Sequence, residues 1–157
     1  MTTNNEERGQ PGKLDQSHPA ERIVEEHRTL REQLEIIAAA TTRTALLSGL
    51  LHMPKTLREH FDLEEQSGGL YDDLQVRRPA ISRELDALRA EHEVILNEFD
   101  ALCLQLKQWV DDKGALEEIS EPMTGDVGRC LDRLRQHEHE ESRVIGDVYY
   151  TDEGGLG

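Results

Sequence analysis

Four histidines and two glutamates recur in two matching sets along this chain of 157 residues. His27 is followed by His60-Phe61-Asp62-Leu63-Glu64, and His92 by His137-Glu138-His139-Glu140-Glu141, so each set is a lone histidine and then a His-x-x-x-Glu. The neighbouring residues repeat as well. Leu57-Arg58-Glu59-His60 is echoed by Leu134-Arg135-Gln136-His137, and Glu26-His27 by Glu91-His92. Imidazole nitrogens and carboxylate oxygens are the donors that first-row metal ions take. Two nitrogens and one carboxylate in each of two equivalent halves make the donor set of a dinuclear metal centre.

That chemistry requires all six residues to face inward, and their spacing says that they do. Around His92 the apolar residues Leu85, Leu88, Ile95, Phe99, Leu102 and Leu106 alternate at intervals of three and four, the mark of one buried stripe on a helix. His27 completes the same rhythm among Ile23, Leu30, Leu34 and Ile37. Leu46, Leu50, Met53 and Leu57 lead into His60 and Glu64. Val127, Cys130 and Leu134 lead into His137 and Glu141, and the pattern resumes at Val144 and Val148. Residues four apart lie on one helix face, so each His-x-x-x-Glu can address a single centre.

A single histidine on an apolar stripe is more often a hydrogen-bonded core residue than a ligand. Six polar groups together are different, because burying unpaired carboxylates and imidazoles costs several kcal/mol per ion. Pairing the glutamates with protonated histidines would satisfy the charge but leave the repeated spacing unexplained. Metal cations satisfy all six at once.

Composition narrows the reading. A chain of this length forms one domain with a real core. Aromatics are only 4%, and the sequence is rich in Leu, Glu, Arg and Ala, which suits helices. A formal charge of -15 argues against nucleic acid as a partner and reads as a solvated acidic surface. No apolar run is long enough to span a bilayer and no signal pattern opens the chain, so no membrane partner and a cytoplasmic location are expected. Cys103 and Cys130 form no disulfide framework or thiolate motif and read as small buried apolar residues.

Helix punctuation gives the order of elements. Residues 1–17 are polar and read as a disordered tail, with Ser17 and Pro19 starting a first helix that runs to about Ala40. A second helix is expected from Thr42 to Gln66, kinked at Pro54 or broken just before it, and ended by Ser67-Gly68-Gly69. A loop through Arg78 follows, with at most a short turn at Leu70 to Leu74. Pro79 opens a third helix that passes Trp109 and stops by Gly114. Ser120 and Pro122 introduce a fourth that ends near Tyr149, and residues 151–157 are expected to fray. The predicted fold is all-α: an antiparallel up-down four-helix bundle over residues 18–150.

Over about residues 18–150 these features resemble the hemerythrin-like, or HHE cation-binding, domains. The resemblance is carried by His27, His60-Phe61-x-x-Glu64-Glu65, His92 and His137-x-x-x-Glu141, with helix lengths and order to match. It implies a bundle holding two irons bridged by carboxylates and by an oxo or hydroxo group. Carried over by residue, one iron takes His27 and His60, the other His92 and His137, and Glu64 and Glu141 bridge them. Donors of these types suit iron or manganese and give zinc no special preference.

One departure matters. Oxygen-carrying hemerythrins place a second histidine on the third helix, one turn after the first, where this chain has Leu96; Leu88 on the other side is no substitute. One ion is thus expected to have fewer protein ligands. Glu138 or Glu65 is a candidate to fill a position, although Glu65, Glu138 and Glu140 read more readily as solvated helix-face charges. His139 reads as a surface residue, and neither His52 nor His18 as a ligand. Tyr71, Tyr149 and Tyr150 fall near helix ends, where a capping role is the stronger reading than approach to the site. Open positions on a redox-active pair admit dioxygen, peroxide or nitric oxide, for transport, storage or sensing. The other readings are a di-iron oxidoreductase such as a peroxide-decomposing enzyme, and a structural or iron-sensing site; the sequence leaves turnover and any protein partner open.

Overall fold

A computed structural model describes residues 19–113 and 118–150. The expected tails at 1–17 and 151–157, the helix start at Ser17, His18 and the stop at Gly114 lie outside the described residues. Helix α1 spans Pro19–Ala38, α2 Arg43–Leu50, α3 Met53–Glu65, α4 Leu70–Arg77, α5 Ser82–Lys113 and α6 Glu121–Tyr149, with a 3-10 turn at Pro79–Ile81 leading into α5. No strand occurs among the described residues beyond an isolated bridge between Thr42 and Glu118. The molecule is an all-α bundle of four arms: α1, the broken pair α2–α3, α5 and α6. Helix α5 packs against α2, α3 and α6, and α1 against α2 and α6.

The breaks follow from local chemistry. Thr42 caps α2, its hydroxyl accepting from the Ala45 amide at 3.1 Å. Pro54 lacks an amide hydrogen and sits in the first turn of α3, where none is needed. The second arm is therefore two helices joined at Leu51 and His52. Between α3 and α5 the expected loop is instead an eight-residue helix, α4. Its entrance depends on two glycines. Gly68 adopts φ +75°, and a side chain on Gly69 would meet the carbonyl oxygens of Leu63, Gln66 and Glu64 at 2.5–2.9 Å. The chain thus folds back hard on the end of α3, and Asp72 accepts from the Gly68 amide at 2.8 Å in the first turn of α4.

The core is divided. One apolar cluster contains Leu30, Leu34, Leu57, Phe99, Leu102, Cys130 and Leu134; the other contains Ile23, Leu70, Leu74, Leu85, Leu88, Val144 and Val148. On each stripe the predicted site residues fall between the two: His27 between Ile23 and Leu30, His92 between Leu88 and Ile95, and His137 with Glu141 between Leu134 and Val144. Burying a leucine stabilises by about 1.5–3 kcal/mol. The two clusters together hold closed a polar layer that would resist burial by itself.

Candidate metal centre

All six sequence-predicted residues meet in that layer. His27, His60, His92 and His137 are buried, and Glu64 and Glu141 are wholly inaccessible. Their donor atoms form two groups, His27, His60, Glu64 and Glu141 on one side and Glu64, His92, His137 and Glu141 on the other, with the atoms of each group within 4.8 Å of one another. The two carboxylates belong to both groups.

Each carboxylate divides its oxygens between the halves. Glu64 turns Oε1 to His60 Nε2 at 2.7 Å and His27 Nε2 at 3.5 Å, and Oε2 to His92 Nε2 at 3.2 Å. Glu141 turns Oε1 to His27 Nε2 at 3.0 Å and Oε2 to His137 Nε2 at 3.4 Å. The Nε2 atoms of His92 and His137 face each other at 3.0 Å. Meanwhile His27 Nε2, both oxygens of Glu64 and Glu141 Oε1 make no hydrogen bond of acceptable geometry. Lone pairs converging on two points with too few protons between them are what a pair of cations would complete, so the residues present fit a dinuclear metal group.

The distal ring nitrogens are held from outside. His60 Nδ1 lies 2.7 Å from Glu26, His137 Nδ1 lies 2.7 Å from Glu91, and His92 Nδ1 is hydrogen-bonded to Glu65. A carboxylate on Nδ1 places the proton there and leaves Nε2 with its lone pair directed inward. Each of these glutamates adjoins an inner residue of its own helix while holding a ring on another: Glu26 precedes His27 on α1, Glu91 precedes His92 on α5, and Glu65 follows Glu64 on α3. The repeated Glu-His pair visible in the sequence is thus a device for orienting the imidazole of the next helix.

Burial and the facing histidines and carboxylates set the electrostatics of the layer. Burial lowers the pKa of His27, yet the touching carboxylates of Glu141 and Glu64 outweigh it and hold the ring up at about 9. Burial and the neighbouring His137 bring His92 down to about 3. Burial and the charge of Glu141 push Glu64 well above the usual carboxylate range. Glu141 goes the other way: burial raises it, but His137, His27 and Glu64 hold it low.

One turn after His92 no ligand stands, and a different polar group enters the layer from the other apolar cluster. Leu96 packs into the apolar cluster, as its residue type requires. Tyr71, fully buried on α4, brings its hydroxyl to 2.8 Å from Glu141 Oε2 and 3.1 Å from His92 Nε2. Its pKa is raised by burial and by the charges of Glu141 and Glu64, so the phenol keeps its proton and donates it. The capping role holds for Tyr149, which bonds Asp73 and lies under Arg77, and Tyr150 is exposed. It fails for Tyr71, because α4 forms where a loop was expected. The signal was present in Gly68-Gly69 ahead of Leu70 and Leu74.

Glu65 is exposed, as expected, while also bonding His92, whereas Glu138 is buried rather than solvated. Glu140 pairs with Arg143 at the surface, and His139 and His52 are exposed. Cys103 and Cys130 are free and buried.

No curated protein and no solved structure gave a significant match to this sequence. A profile described as the hemerythrin HHE cation binding domain matches residues 18–148, the span that carries every residue of the polar layer. The chain belongs to the hemerythrin HHE cation-binding domain family.

Proposed function

We propose that this protein holds two iron ions in the bundle core and binds dioxygen or a related small ligand there, for transport, storage or sensing. The observation that carries the reading is the division of oxygens by Glu64 and Glu141, one toward His27 and His60, the other toward His92 and His137. His27 and His60 would hold one ion, His92 and His137 the other, with Glu64 and Glu141 shared and the Tyr71 hydroxyl hydrogen-bonding Glu141. Imidazole and carboxylate donors without thiolates suit iron or manganese better than a site dedicated to zinc. Such a pair, when bound, supplies redox change and open coordination positions.

The chain's own residues set the conditions for that chemistry. Glu26, Glu65 and Glu91 fix the imidazoles, the two apolar clusters exclude bulk water, and the Tyr71 hydroxyl is a proton donor inside the layer. A buried shell with few acid–base groups favours reversible binding over turnover; a peroxide-decomposing oxidoreductase is the alternative reading. The two free thiols accord with a reducing compartment, and we place the protein in the cytoplasm.

The test is metal content per chain together with an absorption spectrum before and after anaerobic reduction and return to air. Two irons with near-ultraviolet bands that bleach and recover support the reading. Zinc alone, or one ion per chain, overturns it in favour of a structural site. Glu64→Ala and Glu141→Ala are each expected to lose both ions, whereas His139→Ala keeps them.

A further inference from the structure

The two halves share their inner residues but not their walls. By the register of the repeated motif, Glu138 on α6 corresponds to Phe61 on α3, and Ser142 to Glu65. In one half Phe61 stacks on the His92 ring at 3.8 Å and 8°, Glu65 takes Nδ1 of that ring, and Tyr71 closes the remaining side. In the other half, the counterparts beside α1 are a carboxylate and a small hydroxyl. Helix α1, which carries His27, packs on α6 as α5 packs on α3, so Glu138 stands on the α1 side of α6, sharing a cavity with Arg31, where Phe61 stacks on His92 of α5.

Glu138 also lines a cavity of about 250 Å³ whose other walls are Arg31, Arg135, His139 and Ser142, all exposed. Glu138 itself is 4% exposed, and its Oε1 has no hydrogen-bond partner. A buried carboxylate oxygen without a donor is costly, and a ligand carrying O–H groups would satisfy it. Arg31 of α1, one turn from His27, lines the same cavity, so Glu138 stands beside the surface of the helix that carries His27. On the His92 side a groove of about 600 Å³ reaches His137, but Glu91 already occupies the outer nitrogen of that ring.

We propose that the Arg31–Arg135–Glu138–Ser142 cavity is the port through which a small molecule bearing O–H donors, of the hydrogen peroxide class, reaches the His27–His60 half, with Glu138 Oε1 as its acceptor. The acceptor has no donor of its own to satisfy it, the arginines give the mouth a polar rim, and the apolar Phe61 closes the equivalent path in the other half. The port rests on the two-metal reading only for its destination.

The experiment is stopped-flow mixing of the two-iron protein with hydrogen peroxide, read as the second-order rate constant of the first absorbance change, with metal content measured on each sample. Glu138→Phe, which copies the closed half, and Glu138→Leu, which removes the acceptor with little added bulk, are expected to slow association at least tenfold while keeping two ions. Glu138→Gln retains an acceptor oxygen and is expected to stay near the wild-type rate. Ala87→Phe, placed in the groove over His137, is expected to have no effect. Wild-type rates in both Glu138→Phe and Glu138→Leu, or slowing confined to Ala87→Phe, would overturn the port. A wild-type protein that fails to hold two ions would instead overturn the functional reading on which the port's destination depends.

Discussion

The phenolic hydroxyl of Tyr71 donates to Glu141 Oε2 at 2.8 Å, from a helix other than the four arms that carry the histidines and glutamates of the centre. It also lies 3.1 Å from His92 Nε2, and its ring packs in the apolar cluster across the layer from that of Leu96. The bundle therefore completes one half of its polar layer with an insertion between its second and third arms, and the two halves, alike in sequence, become unlike in structure.

Tyr71→Phe is the direct check on that role. With the hydrogen bond to Glu141 Oε2 removed, the variant is expected to bind metal about 10–100-fold more weakly, measured by competition with a chelator of known affinity. Unchanged affinity would mean that the Tyr71 hydroxyl does not support the centre.

Glu26, Glu65 and Glu91 each hold a distal imidazole nitrogen. Replacing any of them with Gln is expected to weaken metal binding about 10–100-fold, by loosening the tautomer and orientation of the ring it holds. Competition with a chelator of known affinity measures this. Unchanged affinity in all three variants would reduce these contacts to surface ion pairs.

Metal uptake is expected to release protons. In the metal-free protein His27 is held up at about 9, above its ordinary 6.5. The stability contributed by that proton is complete below about 6.5 and is lost as pH rises through about 9. A metal must displace the same proton, so apparent affinity rises between pH 7 and 8, by up to about tenfold for a single proton. His92, down at about 3, has none to give in that window. Chelator competition at the two pH values decides the matter, and a flat profile would contradict the charge state assigned to His27.

Gly69→Ala tests the turn that delivers Tyr71. The added methyl would meet the carbonyl oxygens of Leu63, Gln66 and Glu64, which as backbone cannot swing aside. The expected cost is about 1–3 kcal/mol of stability, read by denaturant unfolding, with weakened metal binding if α4 shifts. Gly128→Ala, in α6 with nothing near its missing side chain, is expected to be neutral or stabilising.

The six inner residues were legible because burial and periodicity are both written in one dimension. His27, His60, Glu64, His92, His137 and Glu141 interrupt apolar stripes at helical spacing, and a helix turns such spacing into a shared face without further information. The break before Pro54 was legible for the same reason, since a missing amide acts locally. Tyr71 was not, because its place depends on how far Gly68 and Gly69 fold α4 back over the end of α3. Glu138 was not, because Phe61 and Glu138 hold equivalent positions in a repeated motif, and only packing shows that both walls are buried. Sequence determined which groups enter the core and on which helices. Tertiary structure decided which helix each outer carboxylate serves, how the two halves differ and which side stays open, because those depend on contacts between helices that no spacing along one helix encodes.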